Sequence, residues 1–255
     1  MTPKSTRRSK PTRAARQRQR LASLRQLSRF ERSLARRLRA LLASQATAIA
    51  GSLRTVGHFT ESVVSQGRSD RVALLSEFYR NVALTFGNQL IRSAGRKASL
   101  IGFSFEEAVR IWVHSRALAA IEDMDRVTLR AVRRIIDDAV QDGSRSINDL
   151  AKTITAELGT GAVARSETIA RTEMHAAMNY GQVEAAASSG LKLVKTWTAS
   201  LDDRTRQGHI DADGQTVPLD EPFSVGGELV MHPGEGSADN AINCRCVCTF
   251  SETSD

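Results

Sequence analysis

From Leu21 to Ser188 the apolar residues recur at helical spacing, and beyond Gly190 they alternate. This switch of period constrains the fold more than any other feature. The chain must build a long helical stretch and then a smaller region of short strands, which is an α+β arrangement. Composition agrees: aromatics are 5% of residues, whereas Ala, Leu and Arg, all good helix formers, are abundant.

The helical stretch divides at its own punctuation. Leu24, Leu27, Leu34, Leu38, Leu41 and Ile49 fall within a stripe roughly 100° wide, with Arg25, Arg29, Arg32, Arg36 and Arg39 opposite. Gly51, Gly57 and Gly67 weaken this first helix toward a break. A second helix is predicted over 70–93, with Val72, Leu75, Tyr79, Val82, Phe86 and Leu90 on one side. Ser104 and Glu107 read as a capping box that opens a helix to 121. Another is predicted over 125–141, burying Leu129, Val132, Ile136 and Val140. Ser146 is an N-cap signal for a short helix that stops at Gly159, and an Ala-rich helix is predicted over 163–188. The β-like segments are "LKLVKTWTA", short pieces of "TVPLDEPFSVGGELVMHPGEG", and "CRCVCTF".

Charge is placed unevenly. Residues 1–40 carry 14 Lys and Arg against the single acid Glu31, while the rest of the chain has an acidic excess. Residues 1–20, low in apolar content and holding Pro3 and Pro11, are expected to be a disordered basic arm. Its cations Arg7, Arg8, Lys10, Arg13, Arg16, Arg18 and Arg20 are candidate contacts to nucleic acid, through phosphate and without sequence preference. No aromatic residue precedes Phe30, so base stacking is not expected. No apolar run is long enough to cross a bilayer and no secretory signal is evident, so a soluble intracellular protein is expected.

Three groups of residues could carry chemistry. On the 163–188 helix Arg171, His175, Asn179 and Gln182 share one face, with Ile169, Ala176, Tyr180 and Val183 opposite as core. That polar face is expected to be solvated or internally bonded, or to tie the helix to the polar loop that follows. The loop "DDRTRQGHIDADGQ" is expected to be a turn and ion-pair network. Its Asp203, Arg206 and His209 are the residues a nuclease or other hydrolase would use. The only cysteines, Cys244, Cys246 and Cys248, alternate in "INCRCVCTF". Disulfides between such neighbours are disfavoured by geometry. The expectation is reduced thiols on one side of a strand and no metal. If zinc binds, the candidate ligands are His209, Cys244 and Cys246, with His232 as a further donor.

In order along the chain, "ARTEMHAAMNYGQ", "KTWTASLDDRTRQGHIDADGQTVPLDEPFSVGGELVMHPGEG" and "NAINCRC" resemble the Mu F-like phage head morphogenesis family of minor head or minor capsid proteins. The resemblance covers roughly 150–250, and with the composition and periodicity above the chain is expected to have three parts: the arm over 1–20, a helical region over 21–160, and a Mu F-like domain over 161–255. Carried over by position, its signature residues are Arg171, Thr172, Glu173, Asn179, Trp197, Asp203, Arg206, His209, Asp213, Gly214, Pro233, Cys244, Arg245 and Cys246. Some relatives have a Cys pair in the Asp-rich loop and a His before the last motif, a set suited to zinc. Here Arg206 and His209 occupy the pair's positions and "DNAI" precedes the motif, so most of that set is missing.

What the resemblance implies is a non-enzymatic virion-assembly protein. It would sit inside the head near the portal and pass through the host cytoplasm during assembly. Its partners would be the portal protein, other capsid proteins and double-stranded DNA. A scaffold that docks the portal and never touches DNA is the alternative from the same class.

Overall fold

The computed structural model describes residues 11–93, 102–142 and 146–253. The element order is α1 (Arg13–Val56), a 3₁₀ turn (Glu61–Ser65), α2 (Arg68–Ser93), α3 (Gly102–Gln141) and α4 (Ile147–Ser188). Then follow β1 (Leu193–Thr198), α5 (Gln207–Asp211), β2 (Thr216–Pro218), β3 (Phe223–Val225), β4 (Glu228–Val230), α6 (Ala238–Ala241) and β5 (Val247–Glu252). The α+β class expected from the period switch is what the chain forms.

The helices are fewer and longer than their sequence signals suggest. α1 begins at Arg13, because the Thr12 hydroxyl accepts the Ala15 amide at 3.2 Å and caps it. The basic segment read as disordered over 1–20 is therefore helical from Arg13 onward, while Arg7, Arg8 and Lys10 lie outside the described residues. Leu27, Leu34, Leu38 and Ile49 are fully buried, each such side chain contributing about 1.5–3 kcal/mol. The helix ends before Gly57, whose φ of +80° is the left-handed conformation that helix ends favour.

α3 runs unbroken through positions 121–125, where a gap was expected, since no Gly or Pro lies between Ser104 and Gln141. It also starts at Gly102, so Ser104 is inside the helix and Glu107 instead pairs with Arg110. Its buried stripe uses Val132, Ile135 and Ala139, while Val140 is 73% exposed. Ser146 does cap α4, accepting the Asp149 amide at 3.2 Å. Gly159 does not stop that helix. An isolated helical glycine costs only about 1 kcal/mol, which packing on either side outweighs.

Among the described residues, the contacts form two compact units. One joins the portions 1–30, 79–111 and 171–255; the other joins 31–78 and 112–170. The second unit is helical around Ile49, Leu53, Val63, Val64, Val132, Ile135 and Ile154. It also buries a polar network that helical periodicity does not reveal. Arg71, 2% exposed, donates to Asp125 Oδ1 at 2.7 Å and to the carbonyls of Gln66 and Val64 at 2.8 and 3.2 Å. Gln45 donates to the same Val64 carbonyl and to Asp125.

The first unit holds both sheets. β1 is the central strand of an antiparallel sheet ordered β2-β1-β5, with Trp197 opposite Cys248 and Thr196 opposite Thr249. Threonine hydroxyls link the strands across one face, Thr196 to Thr216 at 2.9 Å and Thr198 to Thr249 at 3.1 Å. β3 and β4 form a hairpin closed by Gly226 and Gly227, both at positive φ, as a two-residue type I′ turn demands. Trp197, Ala199, Phe223, Val225, Val230, Cys244, Cys246 and Cys248 pack with Val183 of α4 into one apolar core.

Candidate functional site

The site lies where the chain between α6 and β5 meets α4, β1 and α5. It is assembled by a reversal at Asn243, whose φ of +58° Asn tolerates better than most residues. α4 holds that turn from two points. Arg171 donates to Asn243 Oδ1 at 3.0 Å, and the Thr172 hydroxyl accepts the Asn243 amide at 3.0 Å. Further along α4, Asn179 acts as a substitute strand partner. Its Oδ1 accepts the Cys248 amide at 2.9 Å and its Nδ2 donates to the Cys246 carbonyl at 3.3 Å.

The polar face of α4 is thus not solvated. His175, Asn179 and Gln182 are buried, as are the residues between Thr172 and Asn179. Glu173 accepts from Tyr79 at 2.8 Å within the same unit. The tie expected between this face and the loop after β1 goes instead to 243–248. Pro233 is buried, and Gly234 at φ +89° lets the "HPG" loop reach the helix, since a Cβ there would sit 2.9 Å from Ala176 Cα.

The loop after β1 is the expected network of turns and ion pairs. Asp202 accepts the Thr205 hydroxyl at 2.9 Å and is held by both ends of the Arg245 guanidinium, at 2.6 and 2.9 Å. Burial pushes the Asp202 carboxyl up, but Thr205 and Arg245 together hold it below its ordinary value. Asp213 accepts the Ala199 amide at 3.0 Å and pairs with Arg13 at 3.3 Å. Gly214, at φ +88°, carries the turn that returns the chain to β2. Arg206 is exposed and donates to the Ile242 carbonyl at 2.7 Å, and Asp203 is exposed. His209 is 2% exposed, so Asp203, Arg206 and His209 do not form a shared acid–base site.

The cysteines depart from the single strand face expected of them. Only Cys248 lies on β5; Cys244 and Cys246 precede it in the loop. Their sulfurs and a ring nitrogen of His209 all lie within 4.8 Å of one another. His209 Nδ1 is 3.3 Å from Cys246 Sγ and 3.8 Å from Cys244 Sγ. The ring edges Trp197, centroids 5.5 Å apart at 87°. His232, the fourth donor considered, stays apart from this group: its Nδ1 is 3.1 Å from the Pro233 carbonyl and its ring edges Tyr180.

The two neighbouring thiols are shifted in opposite directions. A hydrogen bond from Cys246, aided by His209, holds Cys244 well below its ordinary value, whereas the same contact and burial push Cys246 well above. Burial lifts Cys248 to about 12.

Sequence reasoning missed Asn240. Its Nδ2 donates to the Val225 carbonyl at 3.1 Å, which turns its Oδ1 toward His209 Nε2, 3.3 Å away. Gly226 is required beside it, because a Cβ there would lie 2.8 Å from that oxygen. It also missed the start of α1. Arg20, 9% exposed, donates to Ser200 and to the Arg245 carbonyl, and Gln17 donates to the Ala199 carbonyl at 2.9 Å. Burial lowers the Arg20 pKa, with Cys246 and Asp202 opposing. The signal was the helical character of 13–20, overridden there by its charge.

A family profile covers this same region. The profile described as "Phage Mu protein F like protein" matches residues 130–249. The minor head protein GP7 of Bacillus phage SPP1 is 36% identical over 92 residues, covering 34% of this chain and 30% of that protein. The uncharacterized protein YqbB of Bacillus subtilis strain 168 is 31% identical over 142 residues, covering 53% of this chain and 46% of its own length. An NAD(+)–arginine ADP-ribosyltransferase EFV of Enterococcus faecalis is 37% identical over 65 residues, 25% of this chain and 13% of that protein. The chain thus spans less than half the length of these curated relatives. No solved structure matches it. Over residues 130–249 the chain is similar to the Mu F-like head morphogenesis family.

Proposed function

We propose that the chain is a minor head protein that acts in phage head assembly, inside the virion near the portal, after passing through the host cytoplasm. The observation that carries this reading is the similarity to a protein named a minor head protein, beside the Mu F-like match over 130–249. In that region Arg171 and Asn179 of α4 hold the loop before β5 in place, as suits an assembly element. No helix of the described residues is long and apolar enough to cross a membrane. Partners are the portal and other capsid proteins. Co-expression with the portal and major capsid proteins of the same virion, followed by gradient sedimentation, tests it. Co-migration with assembled heads is expected; a chain that stays at the top of every gradient refutes the role.

Non-specific contact with packaged duplex DNA is the second part of the proposal. Arg13 pairs with Asp213 and Arg20 is buried, so these two are committed within the fold. The phosphate contacts then fall to Arg7, Arg8, Lys10 and the exposed Arg18, with Arg16 partly engaged by the Pro11 carbonyl. Changing Arg7, Arg8, Lys10 and Arg18 to Gln is expected to weaken duplex binding. The slope of log affinity against log salt is expected to flatten by about 0.9 for each phosphate no longer neutralised. An unchanged slope in a fluorescence-anisotropy salt series would leave the portal-docking scaffold that never binds DNA. A hydrolase finds no support in the separation of Asp203, Arg206 and buried His209.

A further inference from the structure

His209, Cys244 and Cys246 are each at most 2% exposed, and nothing in the assembly role uses their chemistry. Three features of the cluster go beyond ordinary apolar packing. First, the imidazole is oriented from behind. The Val225 carbonyl accepts a hydrogen bond from Asn240 Nδ2, so Asn240 Oδ1 is left to accept from His209 Nε2. That bond puts the ring proton on Nε2 and leaves Nδ1 with its lone pair pointing at the sulfurs. A ring nitrogen fixed in this way, by a partner on its far side, is how proteins prepare a histidine to ligate a metal.

Second, two sulfurs converge on that one lone pair, at 3.3 and 3.8 Å. Third, the spacing fits tetrahedral coordination. Bonds of about 2.0 Å to nitrogen and 2.3 Å to sulfur, at the tetrahedral angle, set N···S at about 3.5 Å. The two observed distances bracket that value.

We propose that His209 Nδ1, Cys244 Sγ and Cys246 Sγ bind one zinc ion, with the fourth position left to a small ligand such as water. Thiolate and imidazole donors select a soft or borderline cation over magnesium or calcium. Arg206 has no part in the set, and Cys248 faces Trp197 across the sheet. The zinc would clamp α5 to the loop before β5, joining segments that no strand pairing links. It is independent of the head-assembly reading, because its test needs neither DNA nor capsid proteins.

The test uses the full chain purified without chelator from zinc-supplemented cells. Elemental analysis is expected to give about one zinc per chain, retained in Cys248→Ser and lost in Cys244→Ser and His209→Ala. Because removing a core ligand can also unfold the region, a second measurement uses the wild-type chain alone. The metal-stripped chain titrated with cobalt(II) is expected to show a thiolate-to-cobalt charge-transfer band that saturates at one equivalent. Zinc is expected to raise the Tm of the stripped chain as well. A wild-type chain that purifies without metal and gives no such band overturns the proposal. So does zinc that survives loss of Cys244 in a variant that still melts cooperatively.

Discussion

Asn179 shows how much one side chain can decide. It is fully buried, and it completes the backbone bonding of the 246–248 segment from a helix, where no strand is available. Asn179→Ala leaves a buried amide and a buried carbonyl unpaired, and is expected to cost about 1–3 kcal/mol in a urea melt. Glu184, on the same helix, is held with its carboxyl above the ordinary value by burial. A raised folded-state pKa gives stability that is complete below the unfolded value of about 4.3 and is lost as pH rises through the folded one. Glu184→Gln is therefore expected to melt with wild type at pH 4 and above it at pH 7. Neither burial was legible beforehand. Period 3.6 puts Arg171, His175, Asn179 and Gln182 on one face. A polar face reads as solvent-facing unless another part of the chain is known to cover it.

At the scale of elements, punctuation was over-read and close packing under-read. Gly159 looked like a helix stop and is only a weak spot, with nothing within 4 Å of an added Cβ. Gly181 looked unexceptional, yet a Cβ there would lie 2.4 Å from the Ala83 carbonyl oxygen, and one on Gly87 would lie 2.7 Å from the Gly181 carbonyl oxygen. These two glycines let α2 and α4 approach backbone to backbone. Gly181→Ala is accordingly expected to lower the urea midpoint by the equivalent of about 1–3 kcal/mol. β1 was legible by its alternation and β5 only in part, since the alternating segment begins at Cys244 and the strand at Val247. The Arg71–Asp125 pair was not, because its partners lie 54 residues apart and each alone reads as a surface charge.

For the whole molecule, the C-terminal sheets do not make a compact unit by themselves. They share one with the start of α1 and with residues 79–111. A fragment beginning at residue 161 would lack Gln17, Arg20, Tyr79 and Ala83, which bond or pack against residues 173–200. It is expected to melt well below the full chain, or to give no cooperative transition, in calorimetry. The sequence by itself determined the α+β class, the α4 cap at Ser146, the position of β1 and the ordered motifs that resemble the family. All of these depend on neighbours a few residues apart or on the identity of short strings. Only the tertiary structure decided that Arg20 is buried, that α4 has no solvated face over 172–179, and that His209 meets Cys244 and Cys246 with Asn240 behind it. Those outcomes depend on which distant segments cover each other, and periodicity and local charge carry no record of that.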